Sequence, residues 1–358
     1  MKYHYCTCFD NNYLIYGYTL YRSLKNTVAD FTLYIVCLDE MVFQSLKQLN
    51  LPEAVLIPLS DIESFDPEYA ATSGNRSRVE YIFTLSPVMP LYILNKYPEI
   101  EILAYMDSDL YFFSSPEKLY HEMGNHSLLI FEHDFYPEEA GNAKDFGRFN
   151  MGFQLYRNNA QGIACLQHWR RECLAWCYDR PENGKFADQK YLEEWPELFQ
   201  AVIASNCSGG GLAPWNCGKH RFDFSGKKPL VDGNPVIFFH YQGCKILKHN
   251  MMLTASPPYY LYIPNSIANF FYSTYFKAMK TARLELEKIL REEQLQLVYL
   301  FKRERINDNT HPVKSRISHY FSSFIFHFPM LLNGRLTYKG HRIAPMISRL
   351  FYLRKYSS

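Results

Sequence analysis

Residues 102–109 read ILAYMDSD, in which five apolar residues lead directly into two aspartates separated by a serine. Such an uninterrupted apolar run predicts a strand covered on both faces, as in a parallel sheet flanked by helices. In sheets of this kind, ligand sites open at the carboxyl ends of the strands. We therefore expect Asp107 and Asp109 to lie at a binding site.

The chemistry of this pair points to a divalent cation. If the strand breaks into a turn after Met106, both carboxylates can reach one ion, and carboxylate oxygens are the ligands that magnesium and manganese prefer. The Asp-x-Asp pattern is common by itself. A solvated pair of loop carboxylates is therefore the alternative interpretation of Asp107 and Asp109.

The sequence before this strand has the same α/β character. Apolar runs at 2–8, 31–38 and 51–59 predict strands, and the apolar spacing over 13–25 predicts a helix between the first two. This beginning is typical of a Rossmann-like parallel half-sheet.

Further elements follow from the same patterns. A helix over 79–97 contains Pro87 and Pro90, so we expect a kink or break inside it. The run Gly209–Gly211 predicts an irregular segment that is mobile or whose backbone lies close to a ligand. The other predicted elements are strands at 110–113, 128–131, 149–156 and 236–239, an exposed loop at 132–147, and helices at 159–178 and 277–305.

The composition restricts the class of protein. Of the 358 residues, 47% are hydrophobic and 21% are charged, which excludes a disordered protein. No run of about 18 apolar residues predicts a membrane-spanning helix, and the first residues lack the apolar core of a secretion signal. The nine cysteines form no Cys-x-x-Cys pair, so we expect buried, reduced thiols. These features predict a cytoplasmic protein.

Six stretches occur in an order that is found in one enzyme family. They are EYIFTLSP, YMDSDLYFFSSPE, GRFNMGF, GKFADQKYLEEWPE, GLAPWN and FFHYQG, all within about residues 1–250. Together with the earlier segment 10–13, they resemble the GT-A glycosyltransferases. They are most similar to the family 8 nucleotide-sugar transferases, and within these to a bacterial group from surface-polysaccharide clusters. The resemblance implies a mostly parallel central sheet flanked by helices over 1–250, and a helical, basic and aromatic extension over 251–358.

The resemblance also implies roles for individual residues. Asp107, Asp109 and His240 would hold Mn²⁺ or Mg²⁺. The catalytic and sugar-contacting positions would be Asn150, Asp188, Gln189, Trp215 and Asn216. The nucleotide and the rest of the donor would contact Thr7, Asp10, Asn12, Tyr13, Arg78, Ser108, Gly152, Gly243 and Lys245, with Gly152 beside the donor sugar.

Several of these assignments have structural alternatives. Asp10 and Asp188 could cap helices, since aspartate is a favoured N-cap residue. His240 could be a buried structural histidine, and Trp215 could be a core residue. One position departs from the family pattern: an arginine usually precedes the metal-site strand, but Thr84 stands there, and Arg78 is the candidate replacement.

The implied activity is metal-dependent transfer of a hexose from a UDP-sugar to a saccharide acceptor in bacterial surface polysaccharide or lipopolysaccharide synthesis. Retention of configuration is implied by the family, although no general base can be assigned, so stereochemistry stays open. A non-catalytic sugar-nucleotide or glycan-binding subunit of a membrane-associated assembly is the alternative. A phosphohydrolase would need more acidic residues at the site.

The carboxyl-terminal part differs in charge from the rest. Residues 265–358 contain 16 Lys and Arg against 6 Asp and Glu, whereas the rest of the chain contains 22 against 30. A basic segment rich in aromatic residues would suit an anionic inner-membrane surface, where a lipid-linked acceptor resides. A helical subdomain that packs on the body or forms a homo-oligomer is the alternative. Nucleic acid binding is not expected, because no known module accompanies the charge.

Overall fold

The strand predicted at 102–106 lies at the centre of a seven-stranded sheet. The computed structural model describes residues 2–247, 251–254, 263–290, 336–338 and 341–342. The strands are β1 (Tyr3–Phe9), β2 (Phe31–Cys37), β3 (Ala54–Pro58), β4 (Ile102–Met106), β5 (Leu110–Phe112), β6 (Leu128–Glu132), β7 (Phe149–Arg157), β8 (Val202–Ala204), β9 (Phe222–Asp223), β10 (Leu230–Val231), β11 (Asn234–Pro235), β12 (Phe238–His240), β13 (Lys245–Leu247), β14 (Met251–Leu253), β15 (Leu336–Tyr338) and β16 (His341–Arg342). The helices are α1 (Leu14–Thr27), α2 (Glu40–Leu49), α3 (Leu59–Phe65), α4 (Pro67–Ala71), α5 (Arg78–Lys96), α6 (Glu117–Met123), α7 (Asn142–Phe146), α8 (Ala160–Ala175), α9 (Trp195–Leu198) and α10 (Asn265–Leu286), with 3₁₀ turns at Asn11–Tyr13, Thr72–Gly74, Pro137–Glu139, Lys190–Glu194 and Cys217–Lys219.

The central sheet has the strand order β3-β2-β1-β4-β7-β6-β8, and most of its strand pairs are parallel. β1 pairs in parallel with β2 and β4, β2 with β3, and β6 with β8. Strand β7 runs antiparallel to β4 and β6. All five residues of β4 are buried, as expected for a strand covered on both faces. The predicted α/β class and mostly parallel sheet are confirmed.

Parallel pairing brings the carboxyl ends of β1, β2 and β4 to one edge of the sheet. Phe9 at the end of β1 pairs with Cys37 at the end of β2, and Cys6 of β1 pairs with Tyr105 of β4. The polar residues that follow these strands, Asp10 and Asp107 among them, therefore lie along the same edge.

Of the two outcomes expected for the helix over 79–97, a break is wrong, because α5 continues through Pro87 and Pro90, and a kink stays a prediction. The helix starts with a capping box between Ser77 and Glu80, which satisfies two backbone groups at its first turn. It then packs against α8 and fully buries apolar side chains such as Val88. This burial compensates for the backbone hydrogen bonds that the prolines cannot donate.

Two irregular segments differ from their predictions. The predicted loop at 132–147 contains α7 and a 3₁₀ turn, and it buries His133 and Tyr136. The run Gly209–Gly211 packs against other parts of the chain. A Cβ at Gly209 would lie 2.2 Å from the carbonyl oxygen of Pro235. The other two glycines contact a phenylalanine ring of β6. These glycines thus permit close packing beside β12, which the sequence did not reveal.

The chain divides into two compact units, Met1–His240 and Tyr241–Ser358. The predicted domain boundary at 250 stays a prediction. We expected a helical carboxyl-terminal extension. In the described part of the second unit, however, β13 to β16 form an antiparallel sheet. Helix α10 begins at Asn265, earlier than the predicted 277, because a buried stripe that includes Phe271 and Tyr275 precedes the leucines.

The rest of the predicted helix, 291–305, and most of the basic tail lie outside the described residues. No helix in the described part of the chain combines the length and apolar character that crossing a membrane requires.

Candidate functional site

Asp107, Asp109 and His240 converge at the carboxyl edge of the sheet. One ligand atom from each lies within 4.8 Å of the other two. His240 Nε2 is 3.1 Å from Asp109 Oδ1 and 3.6 Å from Asp107 Oδ2. His240 and Asp109 are buried, whereas the side chain of Asp107 is 33% exposed. The cluster therefore has one open side.

Local backbone structure explains how the two aspartates meet. Strand β4 ends at Met106, and a turn follows that the amide of Leu110 closes by donating to the carbonyl of Asp107 at 3.4 Å. The amide of Asp107 donates to the carbonyl of Gly152 at 3.0 Å, which anchors the start of the turn to β7. The turn that the metal hypothesis required is therefore present.

His240 reaches this turn through strand pairing. Strand β12 pairs antiparallel with β5, and in this register His240 lies opposite Leu110, the residue after Asp109. The amide of His240 donates to the carbonyl of Leu212 at 2.8 Å, which fixes the other edge of β12. Backbone register thus brings together residues that are 131 positions apart in the sequence.

The charged groups of the cluster shift one another's pKa values. Burial raises the pKa of Asp107 to about 6, although the nearby imidazole opposes the shift. Burial by itself would lower the pKa of His240. The charge of Asp109 and its hydrogen bond to the imidazole outweigh burial, so the pKa of His240 is raised. The imidazole of His240 and the carboxylate of Asp109 therefore form a close, buried pair.

The donor set fits a hard divalent cation. Carboxylate oxygens suit Mg²⁺ and Mn²⁺, and neighbouring ligand atoms around an octahedral ion at about 2.1 Å stand roughly 3 Å apart. The 3.1 Å between His240 Nε2 and Asp109 Oδ1 matches this spacing. Two carboxylates and one imidazole leave further coordination positions open on the exposed side of Asp107. Phosphate oxygens of a ligand could fill them.

A second polar group lies at the end of β1. Asp10 is buried and accepts a hydrogen bond from the amide of Asn12 at 3.0 Å, so it does cap the 3₁₀ turn that follows. Its Oδ2 also lies 4.0 Å from Nε of Arg78, a guanidinium that is half exposed. Thr84, by contrast, is fully buried and donates to the carbonyl of Glu80. An arginine therefore stands at this edge, although at position 78 and not at position 84.

Asp188 is buried with its backbone held in place. Burial raises the pKa of its carboxyl to about 7, and the charge of Asp107 contributes to the rise, while the hydroxyl of Ser86 opposes it. Trp169 Nε1 donates to the carbonyl of Asp188 at 2.8 Å. The residue lies next to the 3₁₀ turn Lys190–Glu194 but its side chain caps no helix.

Three other predicted positions have their polar groups engaged within the protein. The Asn150 side chain accepts from the amide of Gly152 at 2.8 Å, and its Nδ2 lies 3.3 Å from His133 Nε2. Gln189 Nε2 donates to the carbonyl of Phe146 at 2.7 Å. Asn216 accepts from Ala213 and donates to the carbonyls of His133 and Gly211. These amides hold loops together, and their predicted contacts to sugar stay predictions.

The remaining predicted residues divide by exposure. Tyr13 is 42% exposed and Asn12 is partly exposed, whereas Thr7 and Ser108 are buried. Trp215 is also buried, with its ring edge-on to the imidazole of His240 at 5.4 Å between centroids. Gly243 and Lys245 belong to the second unit.

Sequence analysis missed two residues at this edge. Cys8 at the end of β1 is partly buried, and burial together with the negative charges of Asp107, Asp10 and Asp188 raises the pKa of its thiol. Tyr105 donates from its hydroxyl to Asp107 Oδ1 at 3.2 Å. Strand alternation was the available signal for Tyr105, since residues two apart share a face.

Comparison with known proteins identifies relatives of unknown activity. No protein-family model matches the chain. YfnD of Bacillus subtilis (strain 168), described as uncharacterized, is 29% identical over 243 residues, which cover 67% of this chain and 78% of YfnD. YfnF of the same organism, also described as uncharacterized, is 31% identical over 253 residues, which cover 69% of this chain and 83% of YfnF.

Solved structures with partial similarity include two sugar transferases. The galactosyltransferase LgtC in complex with donor and acceptor sugar analogs is 16% identical, with a TM-score of 0.45, over 67% of this chain and 87% of LgtC. Mouse xyloside xylosyltransferase 1 in its apo form is 16% identical, with a TM-score of 0.41, over 60% of this chain and 87% of that protein. The match to YfnF is the stronger evidence of relationship, and it shows that the chain belongs to the same protein family as YfnF.

Proposed function

We propose that the protein is a metal-dependent glycosyltransferase of the GT-A type that transfers a sugar from a nucleotide-sugar to a saccharide acceptor. The observation that carries the proposal is the convergence of Asp107, Asp109 and His240 into one partly open cluster at the carboxyl edge of the sheet. Asp10 and Arg78 support it because they lie 4.0 Å apart at the same edge, and Asp188 supports it because the charge of Asp107 acts on its buried carboxyl.

In the proposed reaction, the bond between the anomeric carbon and the diphosphate breaks, and negative charge develops on the diphosphate. The anomeric carbon forms a new bond to an acceptor hydroxyl oxygen, and the hydroxyl proton passes to the departing diphosphate. Asp107, Asp109 and His240 would hold the cation through two carboxylate oxygens and Nε2. When bound, the cation supplies positive charge against the leaving group. The guanidinium of Arg78 adds charge-assisted hydrogen bonds to phosphate oxygens.

Asp188 would act on the sugar side. As the sugar becomes oxocarbenium-like, a carboxylate in a water-poor pocket stabilises the developing positive charge more strongly than it would in water. Asp188 is buried, and its pKa near 7 would fall beside a bound cation, so that its anionic form would predominate.

The finer assignment extends the sequence resemblance. We propose a UDP-hexose as donor, Mn²⁺ or Mg²⁺ as cofactor, and transfer with retention of configuration. The acceptor would be a glycan or lipid-linked saccharide of bacterial surface polysaccharide or lipopolysaccharide synthesis. The basic carboxyl-terminal segment would then contact the cytoplasmic face of the inner membrane.

The test is release of UDP from a panel of UDP-sugars in the presence of Mn²⁺ and candidate glycan acceptors. Asp107→Ala and Asp109→Ala should abolish release, because each removes a metal ligand. Asp30→Ala is the matched control and should not affect release. This exposed aspartate directly precedes β2, so it lies at the amino-terminal end of that strand, away from the cluster.

The outcomes separate the proposal from its alternatives. UDP binding in calorimetry without turnover across the whole panel would favour a non-catalytic binding subunit. Release of sugar phosphate without any acceptor product would favour a phosphohydrolase.

A further inference from the structure

Tyr105 forms a buried contact between the metal-site cluster and the protein interior. It lies on β4, two residues before Asp107, and it is only 5% exposed. Its hydroxyl donates to Asp107 Oδ1 at 3.2 Å, while the other oxygen, Oδ2, faces His240. The phenol therefore engages the carboxylate oxygen that is turned away from the imidazole.

Two buried neighbours fix the phenol. Ser86 Oγ on α5 lies 3.3 Å from the Tyr105 hydroxyl. The ring of Trp169 on α8 packs edge-on against the Tyr105 ring, with centroids 6.4 Å apart and an interplanar angle of 73°. Contacts of this geometry are favourable for aromatic pairs. Tyr105 is thus held both at its hydroxyl and along its ring.

The same tryptophan holds the segment that carries the second functional carboxylate. Trp169 Nε1 donates to the carbonyl of Asp188 at 2.8 Å. Ala187, the residue before, has a φ of +46°, a left-handed conformation that costs a residue with a side chain about 1–2 kcal/mol. A backbone in this conformation persists only where its surroundings hold it. The Trp169 hydrogen bond is one such restraint.

We propose that Tyr105 is a positioning residue that keeps Asp107 and Asp188 in a fixed spatial relation. Its hydroxyl orients the Asp107 carboxylate toward the metal position, and its ring braces Trp169, which holds the Asp188 backbone. The inference rests on the proposed function, which gives the two carboxylates their roles.

Two substitutions at this position separate the two contributions. Tyr105→Phe removes the hydroxyl but keeps the ring against Trp169. Groups that orient metal ligands typically change metal affinity by about 10–100-fold, so we expect Mn²⁺ to bind about tenfold more weakly. At saturating Mn²⁺, kcat for UDP release should return to within about twofold of wild type. Tyr105→Leu removes the ring as well, and saturating Mn²⁺ should then fail to restore kcat.

Mn²⁺ binding is measured directly by titrating the protein and recording free Mn²⁺ by electron paramagnetic resonance, which does not depend on turnover. Tyr21→Phe is the matched control, because it also removes a phenol that donates to a carboxylate, that of Glu53, outside the cluster. It should leave Mn²⁺ affinity and kcat unchanged. Ser86→Ala, which removes the hydroxyl beside the phenol with little loss of volume, should weaken Mn²⁺ binding in the same direction as Tyr105→Phe.

Wild-type Mn²⁺ affinity in both Tyr105→Phe and Ser86→Ala would overturn the positioning role of the hydroxyl. Full rescue of Tyr105→Leu by Mn²⁺ would overturn the role of the ring. If the wild-type protein binds Mn²⁺ but no donor yields UDP, the proposed transfer fails while the metal measurement still decides the role of the hydroxyl. Absence of Mn²⁺ binding by the wild-type protein would overturn both.

Discussion

The backbone of Gly152 lies directly against the imidazole of His240. A Cβ at residue 152 would stand 2.5 Å from His240 Nδ1 and 2.8 Å from Asn150 Oδ1. Neither neighbour can move without cost, because the imidazole is buried between Trp215 and the aspartates. The glycine therefore leaves the space in which Nε2 of His240 turns toward the two carboxylates.

Gly152→Ala should displace the imidazole and weaken Mn²⁺ binding by at least about tenfold, as loss of a metal ligand's correct orientation does. Calorimetric titration with Mn²⁺ measures the effect. Gly74→Ala is the control, since a Cβ at Gly74 would have no neighbour within 4 Å. Equal Mn²⁺ affinity in the two variants would show that the cluster does not need His240 in this position.

Asn150 stabilises the same region through its side-chain amide. Asn150→Ala leaves the amide of Gly152 without its acceptor, so we expect the free energy of unfolding to fall by about 1–3 kcal/mol in urea titrations. Asn158→Ala removes an exposed hydrogen bond to the carbonyl of Pro98 and should change stability by less than about 0.5 kcal/mol. A raised KM for the donor with unchanged stability would instead indicate that Asn150 acts only on the sugar.

Asp188 should make stability fall as the pH rises. The pKa of its carboxyl is near 7 in the folded protein, above the ordinary value of 3.8. The folded protein therefore binds the carboxyl proton more tightly than the unfolded chain does. The stability that comes from this difference is lost as the pH rises from 3.8 to 7. Asp188→Asn stays neutral at every pH. In metal-free buffer at pH 8 it should be more stable than wild type by at least about 1 kcal/mol, since one pKa unit corresponds to about 1.4 kcal/mol.

The comparison with pH 5 decides whether Asp188 titrates as described. The stability gap between Asp188→Asn and wild type should be smaller at pH 5 than at pH 8 in urea unfolding. Asp30→Asn, at an exposed position, should show no gap at either pH. A gap of the same size at both pH values would contradict the raised pKa.

Asp66 should have the opposite effect on the pH dependence of stability. It caps α4 and accepts hydrogen bonds from Arg170 Nε at 2.5 Å and Nη2 at 2.6 Å. Burial alone would raise the pKa of Asp66, but Arg170 lowers it below the ordinary value of 3.8. The ionised carboxylate therefore stabilises the folded protein above pH 3.8. This contribution is lost as the pH falls through the lower pKa of the folded state.

Asp66→Asn should therefore lower the free energy of unfolding at pH 7 by about 1.5–3 kcal/mol, the range for hydrogen bonds to charged groups. Glu68→Gln changes an exposed carboxylate on the same guanidinium and should cost less than about 1 kcal/mol. Guanidinium chloride unfolding at pH 7 and pH 3 measures both. An equal loss in the two variants would show that the burial of Asp66 is unimportant.

The parallel half-sheet and the position of Asp107 and Asp109 at its edge could be predicted because they depend on local pattern. The continuous apolar run of β4 requires cover on both faces, and the polar residues that follow must lie where the strand ends. The same local reasoning did not establish that α5 continues through Pro87 and Pro90. The stability of α5 comes from its packing against α8, which the helix's own sequence does not encode.

What the sequence by itself determined was the order of the strands along the chain, their apolar character and the presence of acids at strand ends, because periodicity and side-chain chemistry are local properties. Only the tertiary structure decided that the imidazole of His240 stands beside Asp109, that Gly152 leaves room for it, and that Tyr105 joins the cluster to Trp169. These contacts depend on the register between β5 and β12 and on the packing of α8. Register and packing arise from long-range pairing, whose partners no local pattern specifies.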